Sequence, residues 1–174
     1  MNGAGVAERR VVNAWLSLGS NLAPEIQIPS ALRELERLFG DLRVSSIYES
    51  RAIGFEGDNF HNLVVGILTD LSPRALVAAL REVEKRHGRE RTPEKFSPRS
   101  LDIDLLTYGE QILDDGPIQL PRDEIGKYAF VLLPLAEVAG DEVEPRSGRT
   151  YSQLWEAFEA QDQALWRIEG GSGL

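Results

Sequence analysis

The sequence predicts an α+β fold, an antiparallel sheet with two helices on one side, and three observations lead there. The periodicities over residues 11–108 run strand, helix, strand, strand, helix, strand. Turn and cap residues stand where each helix should begin or end. The chain has 174 residues and 42% apolar content, enough for the core of one domain, taken as residues 11–168.

Residues 11–18, rich in Val, Trp and Leu, stop at Gly19, Ser20 and Asn21, which reads as a buried strand running into a turn. Residues 24–39 place Ile26, Ile28, Leu32, Leu35, Leu38 and Phe39 at helical spacing, with Gly40 as the stop. Residues 42–50 and 59–69 carry β-branched and aromatic side chains and flank a turn-rich segment, 54–58, so they read as two antiparallel strands. Ser72 is a cap residue followed by Pro73, and Leu76, Ala79, Leu80, Val83 and His87 continue one helical face to Gly88. After the polar stretch 89–100, residues 101–108 read as a strand with Leu101, Ile103 and Leu105 on one face.

That βαββαβ order is the ferredoxin-like arrangement. Short extended pieces at 112–113 and 117–120, an apolar segment at 130–138 and a helical one at 152–161 form a C-terminal extension of the same domain. Residues 1–10 and 169–174 are polar or glycine-rich and are expected to be disordered ends.

Charge and composition exclude several functions. With 28 acidic against 19 basic residues, the net charge of −9 disfavours broad affinity for nucleic acid or anionic membrane. There is no cysteine, which removes disulfides, thiolate metal sites and a thiol nucleophile, and which fits the cytoplasm. No Walker-type or kinase-type glycine loop is present, and His61 and His87 fit no metalloprotease pattern and are expected to pack structurally.

Asp102-Ile103-Asp104 carries the sharpest chemistry. Residues two apart on a strand face one side, about 7 Å from each other, so both carboxylates leave the apolar face of residues 101–105 and share one space. Mg²⁺ takes one or two carboxylates and completes its shell with water and phosphate oxygens. An isolated pair of this kind more often marks a solvated strand face. Here it follows residues 81–99, which hold seven Lys or Arg and four Glu in a chain that is acidic overall. Guanidinium forks suit phosphate oxygens, so pair and loop together point to a polyphosphate bridged by Mg²⁺.

The run Gly88-Arg89-x-Arg91, then Lys95-Phe96-Ser97-Pro98-Arg99-Ser100-Leu101-Asp102-Ile103-Asp104-Leu105-Leu106, closely resembles the signature of the 6-hydroxymethyl-7,8-dihydropterin pyrophosphokinase family. Further matches lie at Leu18-Gly19-Ser20-Asn21-Leu22, Val44-Ser45-Ser46-x-Tyr48, Phe60-x-Asn62 and Ala129-Phe130-Val131-Leu132-x-Pro134-Leu135, so the likeness covers about residues 11–160. The resemblance implies an α/β sandwich on the ferredoxin-like core, and transfer of pyrophosphate from ATP to the pterin's hydroxymethyl group with AMP leaving, a step of folate synthesis. It implies two Mg²⁺ ions held by Asp102 and Asp104, with Arg89 and Arg99 acting on the phosphates. Glu84, Arg91 and Lys95 fall on the ATP side. Asn62 is expected to hydrogen-bond the pterin edge, with Phe130, Phe60 and Phe96 against its ring and the backbone from Ser50 to Ile53 closing the pocket. The implied partners are small molecules, with a monomeric chain and neither nucleic acid nor membrane.

The chain departs from the family pattern at Lys95, Phe96 and Ser97, where Arg, Trp and Gly are usual. It departs again where the family has His after Pro121 and Arg two residues before Phe130: these positions hold Arg122 and Tyr128. Altered nucleotide or pterin use is therefore an alternative. So is a non-catalytic ligand-binding domain on the same scaffold, which would bind without releasing AMP. An RNA-recognition domain shares the element order but lacks its aromatic signature here.

Overall fold

The computed structural model describes residues 10–52, 57–88, 101–160 and 163–168. Apart from Arg10, the expected disordered ends lie outside the described residues. So do residues 89–100 and 53–56.

Strands β1 (Val12–Ser20), β2 (Arg43–Val44), β3 (Tyr48–Ser50), β4 (Phe60–Thr69), β5 (Asp102–Tyr108) and β8 (Leu165–Arg167) form one sheet in the order β5-β1-β4-β3-β8, with β2 also on β4. All pairings are antiparallel. Helices α1 (Pro24–Phe39) and α2 (Pro73–Arg86) cover one face. The other is covered by α3 (Ala129–Ala139) and α4 (Tyr151–Glu156), so the extension completes the expected sandwich. A hairpin of β6 (Leu113–Asp115) and β7 (Ile118–Leu120) and a 3-10 turn at Asp123–Gly126 connect β5 to α3.

Strand alternation builds two cores from one sheet. On β1, Ala14, Leu16 and Leu18 enter the core under α1 and α2, while Trp15 points to α3 and joins Val64, Leu106, Leu132 and Leu135. Gly66 lies opposite Trp15 on β4, and a Cβ there would sit 2.5 Å from the indole ring. The sheet therefore needs a glycine at that point to admit the tryptophan.

Helix α2 starts as expected, the Ser72 hydroxyl accepting from Ala75 N at 3.2 Å with Pro73 behind it. In α1 the inward residues are Ile28, Ala31, Leu32 and Leu35, whereas Ile26 and Leu38 are exposed. At 100° per residue Ile26 lies about 200° round from Ile28, so helical geometry turns it to solvent although it is apolar.

The strand expected over 42–50 is divided in two. The Ser45 hydroxyl accepts from Val64 N at 2.9 Å and donates to Ser46 O at 2.8 Å, so a side chain replaces part of the backbone ladder between β2 and β3. Strand β8, without a counterpart in the sequence reading, pairs Leu165 with Ser50 and Arg167 with Tyr48. His87 packs as expected, its ring nitrogens 2.8 Å from Val83 O and 2.9 Å from Ser30 Oγ.

Candidate active site on the β5 end of the sheet

Strand β5 divides its side chains by alternation. Leu101, Ile103 and Leu105 are buried in the core under α1 and α2, and Asp102 and Asp104 leave that core on the opposite side, half-buried. Cross-strand pairing carries this face inward. Asp102 is opposite Gly19 on β1, Gly19 is opposite Asn62 on β4, and Asn62 is opposite Tyr48 on β3. Residues directly opposite share a face, so Asp102, Gly19, Asn62 and Tyr48 make one row, with Asp104 and Ser17 in the next row of the same face. Two strand spacings, about 10 Å, separate Asp102 from Asn62.

Gly19 leaves the floor of that row open. A Cβ there would lie 3.6 Å from Asn62 Oδ1 and 3.9 Å from the Phe60 ring. Asn62 is buried and its amide is fixed: Nδ2 donates to Ser50 Oγ at 2.8 Å, to Tyr48 O at 3.2 Å and to Phe60 O at 3.4 Å. With Nδ2 so engaged, Oδ1 is the acceptor turned toward Gly19. Ser50 thus holds Asn62 through its side chain.

Beyond Asn62 the face is closed by α3. Tyr48 Oη donates to Glu137 Oε1 at 2.5 Å and Ser46 N donates to Glu137 Oε2 at 2.7 Å, which ties the helix to β3. Burial, the Glu137 hydrogen bond and the Glu137 charge all push the Tyr48 hydroxyl well above its ordinary value, so it stays protonated and keeps donating. Phe130, on the first turn of α3, stacks on Tyr128 with ring centroids 5.0 Å apart.

The edge of β5 is satisfied by α2. Ile103 N donates to Glu84 Oε2 at 2.7 Å and Ile103 O accepts from Arg81 Nη1 at 2.9 Å, while Arg81 and Glu84 pair at 2.6 Å. Glu84, placed on the nucleotide side by the family resemblance, is only 1% exposed and in this structure pins the peptide between the two aspartates. Such an edge would otherwise expose a ladder of unpaired groups.

Arg122 reaches the site from the opposite direction. The β1–β5 register slips at Leu106, whose carbonyl accepts from Arg122 N at 3.0 Å. The Arg122 guanidinium donates to Glu124 at 2.6 and 3.1 Å and lies 3.9 Å from Asp104 Oδ1. Burial works against its charge, yet the hydrogen bond to Glu124 and the charges of Asp104, Glu124 and Asp102 outweigh it and hold the group above its ordinary value.

The sequence-predicted residues Asp102, Asp104, Asn62, Phe60 and Ser50 thus meet on one face, with Phe130 on α3. Arg89, Arg91, Lys95, Phe96, Arg99 and Ile53 lie outside the described residues. Arg81 and Arg122 were not foreseen as neighbours of Asp104; the first appeared only within a basic run and the second only as a departure from a pattern. Among the described residues no group of three or more His, Cys, Asp or Glu side chains surrounds a metal position. Two carboxylate donors on one strand face fit a hard cation that takes its remaining ligands from phosphate and water.

The model of the family described as 7,8-dihydro-6-hydroxymethylpterin-pyrophosphokinase matches residues 15–140. A 2-amino-4-hydroxy-6-hydroxymethyldihydropteridine pyrophosphokinase of Synechocystis sp. is 38% identical over 164 residues, covering 92% of this chain and 83% of the relative. Its counterpart in Pseudomonas aeruginosa is 39% identical over 135 residues, covering 75% and 83%. The crystal structure of wild-type Plasmodium falciparum HPPK-DHPS superposes with a TM-score of 0.62 at 13% identity, over 85% of this chain and 45% of that one, so the chain spans under half of that neighbour and shares its fold there. With the family's matched region enclosing both aspartates, Gly19, Asn62 and Phe130, the chain belongs to the 7,8-dihydro-6-hydroxymethylpterin pyrophosphokinase family.

Proposed function

We propose that the face bearing Asp102, Asp104, Asn62 and Phe60 is where this chain carries out its family's reaction, moving pyrophosphate from ATP to the hydroxymethyl group of 6-hydroxymethyl-7,8-dihydropterin. The activity itself, ATP-dependent pyrophosphotransfer in folate synthesis, follows from family membership. The observation that supports the location is the row Asp102–Gly19–Asn62, which puts a carboxylate pair and an oriented amide on one face about 10 Å apart. That separation suits an acceptor whose ring lies at Asn62 and whose alcohol points toward phosphates held near the aspartates.

Asn62 Oδ1 accepts from the N–H groups of the pterin edge, and Phe60 and Phe130 provide apolar surface for its ring. Asp102 and Asp104 would hold Mg²⁺, two ions in the fuller reading, which supplies charge neutralisation on the phosphate oxygens when bound. The hydroxymethyl oxygen bonds to Pβ, the link between Pα and Pβ breaks, AMP leaves with the bridging oxygen, and the alcohol proton passes to solvent. In-line placement and neutralised charge carry most of such a transfer, so no strong side-chain base is needed. Arg89, Arg91, Lys95 and Arg99 are assigned to the phosphates and Phe96 and the Ile53 backbone to the pterin pocket on the family resemblance.

Among the described residues no helix is long and apolar enough to cross a membrane. The reading adds a monomeric enzyme of the cytoplasm with small-molecule partners. Purified chain with ATP, Mg²⁺ and the pterin should release AMP, and should release none when the pterin is omitted. Asp102→Ala or Asp104→Ala should lower turnover by about a hundred- to a thousandfold with the melting temperature kept. Near-normal turnover in both variants would remove the metal role.

A further inference from the structure

Among the described residues, two guanidinium groups converge on one oxygen of the inner aspartate. Arg81 Nη2 lies 3.4 Å from Asp104 Oδ1, and Arg122 Nη1 lies 3.9 Å from the same atom. Arg81 comes from α2, round the outer edge of β5, while Arg122 comes from the segment after β7. Both are anchored: Arg81 by Ile103 O and Glu84, Arg122 by both oxygens of Glu124 and by its own backbone bond to Leu106 O. Their side chains are 24% and 29% exposed, so these are held groups that still reach solvent.

We infer that Arg81 and Arg122 are charge partners of Asp104 that make metal binding at the aspartates depend on nucleotide. The inference rests on the reading of Asp104 as a metal ligand. A bare divalent cation approaching Asp104 meets two fixed positive charges a few ångströms away, in partly buried surroundings where water screens them weakly. The arginines therefore oppose the metal when it arrives alone. A triphosphate reverses the sign, because its oxygens give the guanidinium forks a better partner than a carboxylate they must share with a cation. The same two side chains then favour the metal–nucleotide complex, and by linkage the nucleotide gains from the metal the factor the metal gains from it.

Arg122 has its forked group committed to Glu124 on one side, leaving the Asp104 side to exchange carboxylate for phosphate. Glu124 acts as a tether, holding the guanidinium back from Asp104 and short of the full pairing distance.

Mn²⁺ serves as the probe, with bound and free metal read by electron paramagnetic resonance on the full chain. Each protein is titrated with and without saturating α,β-methylene-ATP, correcting for Mn²⁺ held by the analogue in solution. For wild type, the analogue should tighten Mn²⁺ binding at least thirtyfold. In Arg122→Gln, Mn²⁺ alone should bind at least threefold tighter and the gain from the analogue should fall at least tenfold; Arg81→Gln should move both quantities in the same direction. Glu124→Gln carries the opposite sign, since an untethered Arg122 leans on Asp104 and Mn²⁺ alone binds more weakly. That variant decides the matter should Arg122→Gln not fold. An unchanged analogue gain in Arg122→Gln, or unchanged or tighter binding of Mn²⁺ alone in Glu124→Gln, overturns the inference. If wild type binds no Mn²⁺ even with the analogue, the metal reading of the aspartates fails first, a result distinct from bound metal that ignores Arg122.

Discussion

The two faces of the sheet solve different problems with adjacent residues of the same strands. Under α1 and α2, β1, β4 and β5 present Ala14, Leu16, Leu18, Leu63, Val65, Ile67, Ile103 and Leu105, and that face is closed by their burial, with the polar Ser20, His61 and Thr69 only at its ends. Under α3, the face is apolar only at the Trp15, Val64 and Leu106 end and becomes polar toward Asp102, Gly19, Asn62 and Ser50. A strand that packs hard on one side presents the alternate side chains in fixed directions on the other. In β5, Ile103 supplies the anchoring, and its two neighbours point the carboxylates of the proposed site to the other side.

The largest effect that separates the faces is at Ile103, set against its neighbours. Ile103→Ala removes a fully buried side chain from the α1/α2 core and should cost about 2–5 kcal/mol of stability. Turnover per folded molecule should fall far less than in Asp104→Ala, which spares the core. Urea unfolding together with turnover at low temperature checks both halves. Should Ile103→Ala abolish turnover while leaving the unfolding midpoint in place, the division of labour along β5 is wrong.

A smaller effect is expected at Gly66, where the apolar end of the α3 face depends on close approach. A methyl group there meets the Trp15 ring at 2.5 Å, and the indole is itself held by Nε1 donating to Glu142 at 3.1 and 3.2 Å. Gly66→Ala should therefore cost about 1–3 kcal/mol through overpacking. Near-ultraviolet circular dichroism should report a changed tryptophan environment. The pterin KM should hold steady, because Trp15 lies two rows from Asp102 and Asn62; a raised KM with an unshifted melting temperature would mean that the two ends of this face are not separate.

Much of this was legible in the sequence, for identifiable reasons. Period-two alternation announced β5 and the common side of Asp102 and Asp104, and Ser72-Pro73 announced the start of α2. Local rules suffice where the cause is local. The division of β2 from β3 was not legible because it depends on the Ser45 hydroxyl finding Val64 across the sheet. Strand β8 is three residues long and pairs with β3 more than a hundred positions away, too short to carry a pattern of its own. Arg122 was visible as an unusual residue but not as a neighbour of Asp104, since only the fold of the β6–β7 hairpin and the slip at Leu106 bring it there. Glu84 was legible as a carboxylate near the site, whereas its burial against Ile103 follows from α2 lying along the edge of β5.

The smallest expected effect concerns how the site face keeps its connection to α3. Asp123 and Lys127 span the 3-10 turn that follows Arg122, with Lys127 Nζ 2.8 Å from Asp123 Oδ2 and both side chains largely exposed. The Lys127 hydrogen bond, with the charges of Lys127 and Arg122, holds the Asp123 carboxyl down to about 2. A depressed carboxylate stabilises the fold fully above its unfolded value of about 4 and loses that contribution as the pH falls from there toward 2. Solvent screening makes an exposed pair of this kind weak, so Asp123→Asn should lower Tm by no more than about 2 °C at pH 7. The gap from wild type should hold from pH 5 to 8 and close toward pH 2. A gap that persists at pH 2, or a loss of several degrees at neutral pH, would show that the turn carrying Arg122 is held by more than this pair, and that the site face is more strongly fastened than its exposed charges imply.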